Sequence, residues 1–273
     1  MAKQPPGAPP PPVVQRVRLR YTKRGRLRFT SHRDIARVFE RAVRRAQVPI
    51  AFSAGFSPHP RISWVGAAAT GVASEAEYVE LALAEVVDPE QLRIALDGAL
   101  PDGIDLVDAV VAVPGSSLPD LVQASHWSIR LPGVAVADLE RAVAAFTAEE
   151  AVPVERMTKN GLRTFDARGP VVSMWTTQRD GCAIVELVVQ HVTPAVRPDD
   201  VLTGLARVSD LAPPEPPAAT RLAQGPLTPD GEVGDPLAPD RAAAGHQAGA
   251  TAGATRQVAG AAGEQTASTL PEA

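Results

Sequence analysis

Apolar and polar residues alternate at the start of the chain, with Val17, Leu19 and Tyr21 on one side and Arg16, Arg18 and Arg20 on the other. A period of two predicts a half-buried strand, and its open face is all arginine. Lys23-Arg24-Gly25 reads as a turn, after which Leu27 and Phe29 resume the alternation against Arg26 and Arg28. The period then lengthens. Ser31 stands as a helix N-cap with Asp34 three residues on, and Ile35, Val38, Phe39, Ala42, Val43 and Ala46 recur at helical spacing. The helix is expected to stop near Gln47, because Pro49 disfavours helical backbone at the residue before it.

A Ser-, Gly- and Pro-rich loop over 51–60 follows, then strands at 61–65 and 78–83, a helix at 89–100 and a closing strand at 104–113. This β-α-β-β-α-β order is the ferredoxin-like signature, two helices over one face of a four-stranded antiparallel sheet. The order recurs as strand 126–131, helix 135–146, strands 152–157, 171–175 and 183–190, helix 198–206 and a short strand at 208–211. The chain therefore reads as α+β, with two ferredoxin-like halves at 13–113 and 120–212, each with an antiparallel sheet. Residues 1–12 are mostly Pro, Ala and Gly, and no aromatic residue occurs from 213 to 273. Such composition buries too little apolar surface to offset the entropy of ordering, so both ends read as disordered.

The charge is divided between two blocks that the net value of −4 conceals. Val13 to Trp64 holds thirteen Lys or Arg against Asp34 and Glu40, and Val65 to Ser125 holds eleven acids against Arg93 alone. On the first helix Arg33, Arg37, Arg41 and Arg44 fall within about a quarter-turn of one another. Like charges at this spacing repel and call for a counter-charge. Two sources compete. The acidic block, with Glu75, Glu77, Glu80, Glu85 and Glu90, can pair with the arginines internally, or a polyanion such as RNA can bind Arg16, Arg18, Arg20, Arg26, Arg28 and the helix stripe, with Arg61 adding a phosphate contact.

Phe52-Ser53-Ala54-Gly55-Phe56-Ser57-Pro58-His59-Pro60 is the densest loop motif. Gly55 opens backbone angles closed to other residues, and the two prolines stiffen the chain around His59. Two readings are open here as well: a rigid linker that tucks Phe52 and Phe56 into the core, or a preformed loop that presents Ser53, Ser57 and His59 to a ligand and stacks phenylalanine on a base. His32, just inside the helix start, and His59 are the candidates for acid–base chemistry on RNA. No third ligand stands at a recognisable spacing, so no metal is expected. The one cysteine, Cys182, allows neither an internal disulfide nor an iron–sulfur cluster held by this chain alone. No cofactor is expected. No apolar run approaches the length of a membrane span, and the start is Pro-rich rather than a secretory signal, which points to the cytoplasm.

The runs Arg18-Leu19-Arg20-Tyr21, Gly25 to Asp34, Arg37 to Ala46 and Phe52 to Ser63, followed by Gly71-Val72-Ala73-Ser74-Glu75 and Glu77-Tyr78-Val79-Glu80-Leu81, resemble the radical SAM-associated (radical SAM-linked) protein family, built on domain of unknown function 2344. The resemblance is specific through about residue 112 and looser to about 211. It implies a radical SAM enzyme as a partner, acting in trans because this chain has no CxxxCxxC motif for a [4Fe–4S] cluster. It assigns no reaction. Ser31, His32, Asp34, Gly55, Pro58, His59 and Pro60 match the family pattern and form the site loop it implies, whereas Arg33 stands where the pattern has an apolar residue and Ser57 where it has Asn. The expectation is an accessory protein to a radical SAM enzyme that binds tRNA or rRNA through a basic face. The alternatives are a module docking an acidic protein partner and, third, an RNA-processing enzyme using His32 and His59.

Overall fold

The alternation at residues 16–21 builds β1 (Gln15–Lys23) in the computed structural model, which describes residues 10–158 and 161–245. The first half continues through α1 (His32–Arg45), β2 (Ile62–Val65), β3 (Ala73–Leu83), α2 (Pro89–Asp97) and β4 (Leu106–Val111). Val17, Leu19 and Tyr21 turn towards α1 and α2, where they meet Ile35, Phe39, Val43, Leu92 and Leu96 in one buried core. Burying each large side chain of this kind stabilises the fold by about 1.5–3 kcal/mol. Ser31 caps α1 as expected, its Oγ accepting from the Asp34 N–H at 3.2 Å and donating to the Asp34 carboxylate at 2.7 Å.

After the short α3 (Leu118–Leu121), the second half comprises β5 (Ala124–Leu131), α4 (Val136–Ala148), β6 (Pro153–Thr158), β7 (Gly161–Asp166), β8 (Val171–Arg179), β9 (Cys182–Gln190), α5 (Pro198–Ser209) and β10 (Ala218–Gly225). A second core packs Ile129, Leu187 and Val185 of the sheet against Leu139, Phe146 and Leu205 of α4 and α5. The two cores share one sheet of eight strands in the order β4-β1-β3-β10-β5-β9-β8, with β2 also on β3. Its pairings are antiparallel apart from β10 with β3, which run parallel at Thr220–Ala73 and Arg221–Ser74. β6 and β7 form a separate hairpin.

Four expectations are corrected. Residues 25–29 form a 3-10 turn, because β1 already has β3 on one edge and β4 on the other, which leaves a returning strand nothing to pair with. Residues 208–209 belong to α5, whose helical spacing continues through Val208 until Asp210, at φ +56°, closes it. The two halves do not have separate sheets. Most far-reaching, residues 218–245 are part of the fold: β10 lies in mid-sheet between β3 and β5, and residues 238–245 are helical. The buried positions of β10 are Arg221, Gln224 and Gly225, so hydrophobicity gave no sign of it. Residues 1–9 and 246–273 lie outside the described residues.

The arginine face of β1 is covered around Arg18, while Arg16 stays exposed. Leu118, Val122 and Leu237 pack on Ala76, Tyr78 and Val110 on that side of the sheet. Beside them Arg18 has no solvent exposure, and its guanidinium donates to both oxygens of Asp240 at 3.1 and 2.9 Å, to Glu80 at 3.0 Å and to the Ser116 carbonyl at 2.8 Å. Asp240 is equally buried and also accepts from the Val113 N–H at 2.8 Å.

Removing one member of a buried, hydrogen-bonded ion pair leaves the other uncompensated, at a cost of about 3–5 kcal/mol. Asp240→Ala leaves Arg18 with Glu80 as its one acid, so it is expected to lower stability towards the lower end of that range, about 3 kcal/mol, in urea denaturation. Arg18→Met/Asp240→Leu, which removes both charges, is expected to recover most of the loss.

Candidate nucleic-acid interface

The thirteen basic residues of the first block divide into two groups. Those of β1 and Arg24 just after it have partners within the fold. Arg16 and Arg18 share Glu80, Arg20 donates to the Glu75 carbonyl at 3.0 Å, and Arg24 pairs with Glu75 and Asp105. Lys23 is buried and donates to the Ala69 carbonyl at 3.1 Å, its pKa pushed down by burial. The assignment of Arg18 to nucleic-acid contact is corrected, since its side chain is out of reach; Arg16 shares Glu80 with it, and Arg20 is tied to the Glu75 backbone.

The arginines of α1 are different. Its buried face is Ile35, Phe39, Ala42 and Val43, which leaves Arg33, Arg37, Arg41, Arg44 and Arg45 on the exposed side. Arg37 makes a 3.4 Å contact with Asp34. Among the described residues the side chains of Arg26, Arg33, Arg41, Arg44, Arg45 and Arg61 have no acidic or carbonyl partner, and all six are exposed or partly exposed. Arg28 is half-buried with its guanidinium 4.6 Å from the Phe29 ring, and its Nε has no hydrogen-bond acceptor.

The 51–60 loop is held in shape by its own hydrogen bonds. The Ser53 N–H donates to the His59 carbonyl at 2.9 Å, the His59 N–H donates to Ser53 Oγ at 3.0 Å, and Phe52 faces Pro60 in an isolated antiparallel bridge. Gly55, at φ +143°, takes the turn that a side chain would strain. Phe52 and Phe56 point outward, so the linker reading fails. Ser57, Pro58 and His59 are exposed, and Pro60 is half-exposed.

His32 and His59 have separate surroundings. The His32 ring stands edge-on to the half-buried Trp64 at 5.3 Å, which in turn packs on the buried rings of Tyr21 and Phe39, whereas His59 is anchored through its backbone. No hydrogen bond, ion pair or ring contact joins them among the described residues, nor does any cluster of three or more His, Cys, Asp or Glu with metal-site geometry occur there. Asp34 is engaged in capping α1, and Cys182 is buried in β9. None of the described helices is long and apolar enough to cross a membrane.

Residues 16–198 match the model of a family described as an uncharacterized protein conserved in bacteria (DUF2344). The chain has no match among curated proteins. Among solved structures, an unknown protein from Galdieria sulphuraria is 16% identical over 72% of this chain and 92% of its own, with a TM-score of 0.23. The encapsulated DyP-type peroxidase from Mycobacterium smegmatis is 12% identical over 82% and 94%, with a TM-score of 0.19. Superpositions this poor say nothing about the site.

Sequence patterns gave no sign of the polar residues where the two halves meet. Arg221 of β10 reaches Glu77 of β3 at 3.3 Å, donates to the Gly66 carbonyl and lies 4.8 Å from the Trp127 ring. Nearby, His191 Nδ1 lies 3.0 Å from the Val122 carbonyl, which can only accept, so Nδ1 carries the proton. Nε2 is then free to accept from Ser125 Oγ at 2.8 Å. Ser125 is buried, which makes the pair a structural latch. His191 is exposed overall, but partial burial of its ring holds the pKa below its usual value, and the positive Arg221 adds to the effect against the Val122 bond.

A depressed histidine costs stability on the acid side. Below about pH 6.5 the unfolded chain takes up the proton first, and the loss levels off once the pH has passed the folded value. His191→Gln is expected to flatten the fall in Tm between about pH 7 and 5, measured by thermal melts across that range.

Proposed function

Because the chain belongs to the DUF2344 family of uncharacterized bacterial proteins, whose description names no reaction, we propose a function from its surface: an accessory protein that binds tRNA or rRNA through the α1 arginine face and serves a radical SAM enzyme in trans. The observation that carries this reading is the contrast between the two groups of arginines. Glu80 and Asp240 pair with Arg16 and Arg18 of β1, while on α1 Arg37 alone meets an acid, Asp34, and Arg33, Arg41, Arg44 and Arg45 have no acidic partner among the described residues. A fold that supplies counter-charge to the arginines of a strand and withholds it from most of those on a helix favours an external polyanion at the helix.

The partner follows from the family resemblance and from cysteine chemistry. A radical SAM cluster needs several thiolates, and Cys182 is the chain's only one, so the cluster belongs to the other protein. We also read the strand orders β4-β1-β3-β2 and β10-β5-β9-β8 as two ferredoxin-like halves joined edge to edge. Such sheets often carry RNA-binding surfaces, which is an analogy of fold. The proposed setting is the cytoplasm.

Filter binding of tRNA at a series of salt concentrations tests the RNA reading. For each arginine–phosphate contact removed, the slope of log K against log salt is expected to fall by about 0.7–0.9. Arg33→Gln/Arg41→Gln/Arg44→Gln should therefore flatten the dependence and weaken binding, while Arg20→Gln leaves the slope unchanged. No binding at low salt, or an unchanged slope in the triple variant, overturns the reading. Retention of a protein partner after nuclease treatment, without RNA binding, would point instead to an acidic protein.

A further inference from the structure

Phe29, Phe52 and Phe56 are 60%, 41% and 66% exposed, against the usual burial of phenylalanine. Their places in the fold are related through α1. Phe29 ends the 3-10 turn that leads into the helix, so it stands at the N-terminal end. Phe52 and Phe56 belong to a loop whose base is bonded to β3, with the Ala51 N–H donating to the Ala82 carbonyl at 2.8 Å and the Ala82 N–H to the Arg61 carbonyl at 3.0 Å. The chain leaving the C-terminal end of α1 reaches the same end of β3, where Ile50 pairs with Leu83 and the Ala84 N–H donates to the Pro49 carbonyl at 2.8 Å. A helix of this length spans about 21 Å. Aromatic side chains thus stand near both ends of the element that carries the unbalanced arginines.

Phosphate contacts alone leave these phenylalanines unexplained. A duplex already stacks and pairs its bases, and offers a protein mainly its backbone and shape. An unpaired segment offers phosphates to arginine and base faces to phenylalanine together. The loop is suited to the second task, because its Ser53–His59 hydrogen bonds and two prolines hold Phe52 and Phe56 outward before any ligand arrives, which lowers the entropy lost on binding. Resting on the RNA reading above, we infer that the ligand of this surface is a single-stranded RNA segment, on the order of five nucleotides. Phe52 and Phe56 stack on its unpaired bases while the α1 arginines follow its phosphates. In a structured RNA this means a loop or an end.

Fluorescence anisotropy with a labelled single-stranded uridine dodecamer and with an RNA duplex of the same length tests the inference on the full chain. The single strand is expected to bind at least about tenfold more tightly, and Phe52→Ala/Phe56→Ala to cost about ten- to a hundredfold on it, leaving the salt slope and duplex affinity unchanged. Phe52→Tyr/Phe56→Tyr keeps the ring and should keep the affinity, whereas Phe52→Leu/Phe56→Leu keeps only apolar bulk and should lose it. Both side chains are exposed, so melting temperatures should stay near wild type. Equal affinity for strand and duplex, or full binding by the alanine or leucine variant, overturns the inference and leaves the RNA reading standing. Binding of neither RNA at low salt overturns both.

Discussion

Arg18 and Asp240 meet in the interior across 222 positions of the sequence, with both side chains fully excluded from water. An arginine in the middle of a strand would normally force its face of the sheet to stay open. Here the charge is buried because Asp240 and Glu80 supply counter-charge and the Ser116 carbonyl takes a further N–H. The demand for a partner brings residues 236–245 over the back of the first half-sheet, where Leu237 seals the apolar positions beside it. Closely spaced backbones then become necessary. Gly225 admits the Gly234 carbonyl where a β-carbon would lie only 2.0 Å from it, which returns the chain from mid-sheet towards Arg18.

This constraint separates two roles that the sequence mixes. Arg16 and Arg18 on β1 are structural counter-ions, and their acids are Glu80 of the following block and Asp240, 222 positions on from Arg18. Arginines on α1 face outward on the other layer, beyond the reach of those acids. The site that results combines unbalanced charge on a rigid helix with exposed rings near its ends. Neither feature requires movement of the core.

Period was a good guide wherever one face was apolar. β1, α1 with its Ser31 cap, β5, α4 and β9 were all legible for that reason, and so was the arginine stripe of α1, which needs only helical spacing. Residues 25–29 were not, because a strand-like alternation cannot reveal that both edges of β1 are occupied. β10 was not, because Arg221 and Gln224 bind it into the sheet through ion pairing and hydrogen bonds while its apolar content resembles that of a linker. The division of the arginines was hidden as well. It depends on Asp240, which lies in a stretch whose composition gives no hint of a core. The direction of Phe52 and Phe56 was undecidable from sequence, since a stiff loop can turn its rings either way.

The proposed RNA surface is α1 together with the 51–60 loop. Ultraviolet cross-linking of bound RNA, with the modified peptides located by mass spectrometry, tests this without any substitution. Adducts are expected on peptides covering residues 33–45 and 52–61. Adducts confined to β1, to the β6–β7 hairpin or to residues 218–245 would contradict it.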